Sequence, residues 1–139
     1  MSASVSGVQT LCFLAFDFGT QRIGVATGNS LLGRAQPLTT IAATGAARWV
    51  AIEKLITEWQ PDALVVGVPT HPDGAAHENT LRAQRFGRQM YGRFHLPVHE
   101  VDERWTTTAA LSDGARDVDA AAAALILEQF LRQGDLSHA

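Results

Sequence analysis

Leu11-Cys12-Phe13-Leu14-Ala15-Phe16 is an unbroken apolar run that stops on a carboxylate, Asp17, with Phe18-Gly19-Thr20 directly behind it. A short apolar run without polar alternation suits a strand covered on both faces, at the centre of a sheet. A carboxylate at its end must be compensated by water, a cation or hydrogen-bond donors. The glycine turn leads into Gln21 to Thr27, where Ile23 and Val25 alternate with Arg22, Gly24 and Ala26. That alternation predicts an antiparallel partner with one packed face. Gly28-Asn29-Ser30 marks a second turn, and Gly33 to Ile41 reads as a third strand whose Pro37 points to an edge or a bulge.

Beyond these strands the periodicity changes. Trp49, Ile52, Leu55, Ile56 and Trp59 recur at helical spacing over Ala46 to Trp59, and Pro61 ends that helix. Ala63 to Val68 predicts a fourth strand, parallel to the first after the helical crossover, with a loop at Pro69 to Gly74. A helix over His77 to Arg93 carries Ala83, Phe86, Gly87 and Met90 on one face. A fifth strand, Pro97 to Val101, runs into Asp102-Glu103. A short helix over Thr106 to Leu111 is expected next, then a last helix from Asp119 through an alanine block to about Leu131. The fold class is therefore α/β: a mixed five-stranded sheet, its first three strands antiparallel, with helices on both faces.

At 139 residues the chain reads as one domain, 1–139, large enough to bury a core, with 1–9 as a flexible lead-in. No apolar stretch reaches the roughly 18 residues of a membrane span, and the small, polar start lacks the order of a signal peptide. The expected location is the cytoplasm. Cys12, the one cysteine, falls in the first strand and reads as a buried, reduced core residue. The net charge of −3 argues against gripping nucleic acid by bulk electrostatics, although acidic metal ligands themselves lower that figure. Ten of the eleven basic residues are arginine, whose planar fork matches phosphate oxygens. Arg82, Arg85 and Arg93 fall within about 80° of one another on a helical wheel, off the packed face.

In sheets of this kind ligands gather at the carboxyl ends of the parallel strands. Asp17 ends the first strand, Glu103 ends the fifth, and Asp119 opens the last helix. Crowded carboxylates repel unless a cation neutralises them, and two or three suffice for magnesium when substrate phosphates supply the remaining oxygens. Each acid has a plainer reading as well. Asp17 can cap its own turn, Glu103 can pair with Arg104, and Asp119 is a natural N-cap. Asp117 is a further candidate, and Asp102, pointing to the other face, a weaker one. His71, His77, His95 and His99 lack metal-pair spacing. The Asp-x-Gly-Thr turn also resembles the phosphate loop of actin-like ATPases and sugar kinases, which need two such domains.

The residues Phe16-Asp17-Phe18-Gly19-Thr20-Gln21-Arg22-Ile23-Gly24-Val25-Ala26 resemble the opening of the YqgF/RuvX family of ribonuclease H-like proteins. Ala35-Gln36-Pro37-Leu38, Val65-Val66-Gly67-Val68-Pro69 with Asp73-Gly74, Val101-Asp102-Glu103-Arg104-Trp105-Thr106-Thr107 and Val118-Asp119-Ala120-Ala121-Ala122 follow in the family's order. The resemblance implies a ribonuclease H-like fold and a cytoplasmic nuclease. Members are described as pre-16S rRNA nucleases processing the 5′ end, and also go under the older name of Holliday junction resolvases; a junction-cutting DNA endonuclease and a non-catalytic nucleic-acid-binding factor of ribosome maturation or transcription are the alternative readings. The family's metal-site carboxylates carry over onto Asp17, Glu103 and Asp119, with Mg2+ or Mn2+ as cofactor. Arg22, Arg82 and Arg85 are expected on flanking phosphates, with Arg104 beside Glu103. The expected partner is nucleic acid, pre-rRNA on or off the ribosomal subunit, with no membrane partner and a monomer or weak homodimer. In two places the chain departs from the family's pattern. The connection Ala109 to Val118 is shorter, with Arg116 its nearest basic residue, and Trp105 stands where leucine is usual.

Overall fold

The apolar run is the middle strand of a five-stranded sheet. The structure, a computed structural model, describes residues 10–69, 78–102 and 118–137. Its strands are β1 (Cys12–Asp17), β2 (Ile23–Asn29), β3 (Ala35–Ile41), β4 (Ala63–Val68) and β5 (Val98–Asp102), in the order β3-β2-β1-β4-β5. β1–β2 and β2–β3 are antiparallel, whereas β1–β4 and β4–β5 are parallel. The helices are α1 (Gly45–Trp59), α2 (Glu78–Phe94) and α3 (Val118–Ser137). The expected lead-in 1–9, the loop after Pro69 with His71 and His77, the helix at 106–111, and Glu103, Arg104, Trp105, Arg116 and Asp117 lie outside the described residues.

Strand alternation divides the core into two layers. Leu14 and Phe16 of β1, Ile23 and Val25 of β2, and Leu64, Val66 and Val68 of β4 face Ile52 of α1 and Ala83, Phe86 and Met90 of α2. Phe13, Ala15, Ala63, Val65 and Val101 face Ile126, Leu127 and Leu131 of α3. β1 and β4 are covered on both sides, which is why each reads as an unbroken apolar run. The parallel crossovers through α1 and α2 place both helices on one face, leaving the other to α3.

Pro37 lies on the edge strand β3, and the β2–β3 register shifts there. Val25 pairs with Thr39 and Ala26 with Pro37, so Leu38 is an extra residue on the edge strand. A bulge at this point lets a residue without an amide hydrogen sit in a sheet. Pro61 stops α1 as expected, after Gln60 adopts a left-handed cap and donates its amide to the Ile56 carbonyl at 2.8 Å.

Three expectations need correction. β2 begins at Ile23 and continues to Asn29, two residues later than its pattern suggested, because the turn after Asp17 extends through Arg22. α3 continues beyond Leu131 to Ser137. No proline intervenes, and a helical glycine such as Gly134 weakens a helix by about 1 kcal/mol without stopping it. Cys12 is half-buried rather than core, because it opens β1 and lines a concavity of about 980 Å3 with Trp59, Arg34 and Glu128.

The alanine block brings α3 unusually close to the sheet. Ala120, Ala122 and Ala123 are buried, and the helix start passes directly over Gly24 of β2. A Cβ on Gly24 would lie 1.8 Å from the Asp119 carbonyl oxygen and 2.8 Å from the Ala120 amide nitrogen. Only glycine fits beneath that backbone. Gly24→Ala is expected to lower stability by about 1–3 kcal/mol through overpacking. Urea unfolding followed by circular dichroism should show a lower midpoint at unchanged slope.

Candidate active site

The same close approach builds the site. Asp17, the last residue of β1, is the direct antiparallel partner of Gly24. Directly paired residues share a face. Phe13 and Ala15 face α3, so by alternation Asp17 does too. The helix start that rests on Gly24 is Asp119 itself. Asp17 and Asp119, far apart in sequence, therefore flank one glycine at the rim where β1 and β4 end. Asp17 is half-buried, and the Asp119 side chain is 31% exposed.

Arg22 closes this rim from the turn. Its Nε lies 3.2 Å from Oδ2 of Asp119. With the Arg22 side chain 64% exposed, such a pair contributes at most about 1 kcal/mol. Of the residues expected on phosphates, Arg22 is thus placed on an acid of the rim. Arg82 and Arg85 lie elsewhere, on the α1–α2 side of the sheet, lining a cleft with Phe18. Asp102 ends β5 beside Val68, on the same carboxyl edge as Asp17. Glu103 follows it in the chain, outside the described residues together with Arg104. Among the described residues no three of histidine, cysteine, aspartate and glutamate group closely enough to hold a metal ion. Two histidines without metal-pair spacing have structural places: His95 follows α2 with φ 58°, and His99 stacks on Phe130 at 4.9 Å.

Three polar residues outside the predicted site hold the strand ends in place. Arg48 of α1 is 8% exposed. Its Nε donates to the Ala43 carbonyl at 2.9 Å, and its Nη2 donates to the carbonyls of Gly19 and Thr20 at 3.2 and 3.1 Å. Its guanidinium also lies over the Phe18 ring at 5.7 Å. Burial lowers its pKa from the ordinary arginine value. The turn behind Asp17 is therefore clamped by one buried fork. On the other flank Gln129 of α3, also buried, donates Nε2 to the Asp102 carbonyl at 3.2 Å. Thr80 of α2 donates its hydroxyl to the Pro69 carbonyl, holding the end of β4. Arg48 had a legible signal: it stands four residues before Ile52, on the apolar stripe of an amphipathic helix, where a charge needs partners.

A central parallel pair, an antiparallel three-strand flank, and acids on a strand end and a helix start define a ribonuclease H-like domain. Consistent with that class, Thermus thermophilus RuvC, solved in complex with a Holliday junction substrate, superimposes with a TM-score of 0.53 over 90% of this chain and 96% of its own. At 13% identity that likeness concerns the fold. The RuvX family, described as Holliday junction resolvase, matches residues 11–133, and the chain belongs to this family. A relative from Albidiferax ferrireducens, named "Putative pre-16S rRNA nuclease", is 71% identical over 120 residues, spanning 86% of this chain and 77% of its own. A Polaromonas relative of the same name is 68% identical over 127 residues, spanning 91% of each chain.

The clamp makes its own prediction. Arg48→Met strands three carbonyls and is expected to cost about 1.5–3 kcal/mol in urea unfolding. Amide exchange over 19–22 should accelerate in the variant, and Arg48→Lys should recover part of the loss but not the two-carbonyl grip of the fork.

Proposed function

We propose that this protein is a divalent-metal-dependent nuclease that hydrolyses RNA phosphodiesters, acting in the cytoplasm on the 5′ end of pre-16S rRNA. The observation that carries the reading is the seating of Asp119 on Gly24, the pairing partner of Asp17, at the carboxyl edge of a ribonuclease H-like sheet. The names of relatives 71% and 68% identical over 120 and 127 residues support the RNA substrate.

The donor set fits the metal. Asp17 and Asp119 offer carboxylate oxygens, a chemistry suited to Mg2+ or Mn2+. Glu103, next in the chain after β5, is assigned as the third ligand. A divalent ion at such a site supplies water activation and charge neutralisation for phosphodiester hydrolysis. The chain's own part is positioning. Arg48 fixes the turn behind Asp17, and Gln129 fixes the carbonyl that precedes Glu103. Arg22, in contact with Asp119, exchanges that contact for a substrate phosphate. Arg82 and Arg85 meet the strand farther along, and Arg104 orients Glu103. The acting form is a monomer or weak homodimer, with the pre-rRNA free or presented on the ribosomal subunit.

The RuvX description names a junction resolvase, so the test includes that substrate. Purified protein is incubated with a precursor 16S fragment, a four-way DNA junction and single-stranded controls, in magnesium or manganese. Magnesium-dependent RNA cleavage is expected. It should fall about a hundredfold or more in Asp17→Asn, since several kcal/mol of metal-derived stabilisation are lost. Junction cutting without RNA cleavage would replace the substrate assignment. RNA cleavage undiminished in Asp17→Asn would refute the acid rim.

A further inference from the structure

A second feature lies across the sheet from the acids. Between the start of α1 and the outer side of α2 is a cleft of about 250 Å3, lined by Phe18, Gly45, Arg48, Trp49, Arg82, Arg85, Phe86 and Gln89. Three of these residues are arginines and none is acidic. Arg82 and Arg85 are three residues apart on α2 and share a side of it. Arg85 makes no hydrogen bond or ion pair among the described residues. Arg48 forms the floor. Its Nε and Nη2 are engaged, while Nη1 has no hydrogen-bond partner among the described residues, although the side chain is more than nine-tenths buried. Buried donors are ordinarily satisfied, so an open one under a basic cleft points to an acceptor from outside the chain. The surroundings agree: α1 has no acidic residue in its first turn, and Thr44 makes no side-chain cap. The partial positive charge of that helix start therefore adds to the guanidinium charges.

Phe18 connects the two places, lining the cleft while directly following Asp17 in the chain. Asp17 faces α3, whereas the cleft lies on the α1–α2 side, so a ligand touching both must bend over the rim of the sheet. A single strand bends this way readily, whereas a stiff duplex resists it. Trp49 is no stacking platform for a base, since Phe86 stacks on it at 5.5 Å and the Arg93 guanidinium lies 4.2 Å from its ring centre. What the cleft offers is charge, in a fork geometry suited to phosphate oxygens.

We propose that this cleft is a phosphate subsite for single-stranded RNA, seating the backbone of a strand that crosses the rim from Asp17 and Asp119. The proposal rests on the nuclease reading for its ligand class. It assigns the path that the strand takes: over the Phe18 turn, onto Arg82 and Arg85, with Arg48 beneath.

The test uses the full chain and a fluorescent single-stranded RNA with calcium in place of magnesium, binding being read by anisotropy across a salt series. Arg82→Ala/Arg85→Ala, both exposed positions, should weaken binding roughly tenfold and flatten the log–log salt slope by about 1.4, two contacts at 0.7 each. Manganese affinity, read from the ion's electron paramagnetic resonance signal, should be unchanged. Arg34→Ala, in the concavity beside Cys12, should leave the slope as it is. An unaltered slope in the double variant, or wild-type protein that binds no single strand, would overturn the subsite. An equal loss on duplex RNA would overturn its assignment to single strands. The expected slope change in a wild-type protein that binds RNA but cuts none would support the subsite while removing the nuclease reading.

Discussion

The structure turns on the contact between the start of α3 and the backbone of β2. A helix can lower its first turn onto a strand only where the strand presents no side chain, and Gly24 is that place. The alanines that follow keep the approach close along the rest of the helix. This single proximity does two jobs. It seals the second core layer over Ala26 and Ala15, and it delivers Asp119 to the neighbourhood of Asp17. Packing and chemistry thus share one constraint, and a larger residue at position 24 would disturb both.

Around that contact, buried polar groups serve strand ends rather than the middle of the core. Arg48, Gln129 and Thr80 each reach a main-chain carbonyl where a strand leaves the sheet or just beyond it. Backbone beyond a strand has lost its ladder partners, and a carbonyl there needs a donor. Supplying donors from helices ties each exit to the helical layer. The result is a rigid frame for the segments that carry acids, at a desolvation cost for the Arg48 charge that three carbonyls offset.

Much of this is legible in the chain. Unbroken apolar runs at Phe13–Phe16 and Ala63–Val68 mark the doubly covered strands, and Pro37 marks the bulged edge. The positions of Asp17 and Asp119 follow from reading strand ends and helix starts. The place of Arg48 on the apolar stripe of α1 signals a charge in need of partners, but neither it nor Gln129 reveals that those partners include backbone carbonyls distant in sequence. Cys12 departs from expectation because an apolar run says that a strand is central, not where along it the covering helices stop. The intimacy of Gly24 with α3 is likewise hidden, since a glycine in a strand signals some close approach without naming the neighbour.

The long helix α3 has one more implication, for timing. Asp17 is translated about a hundred residues ahead of Asp119, which sits on the element that docks onto β2 at Gly24. A nascent chain that has formed the sheet but not yet received α3 holds half of the acid pair, with Gly24 bare to solvent. The two acids therefore come together only once α3 is seated on β2.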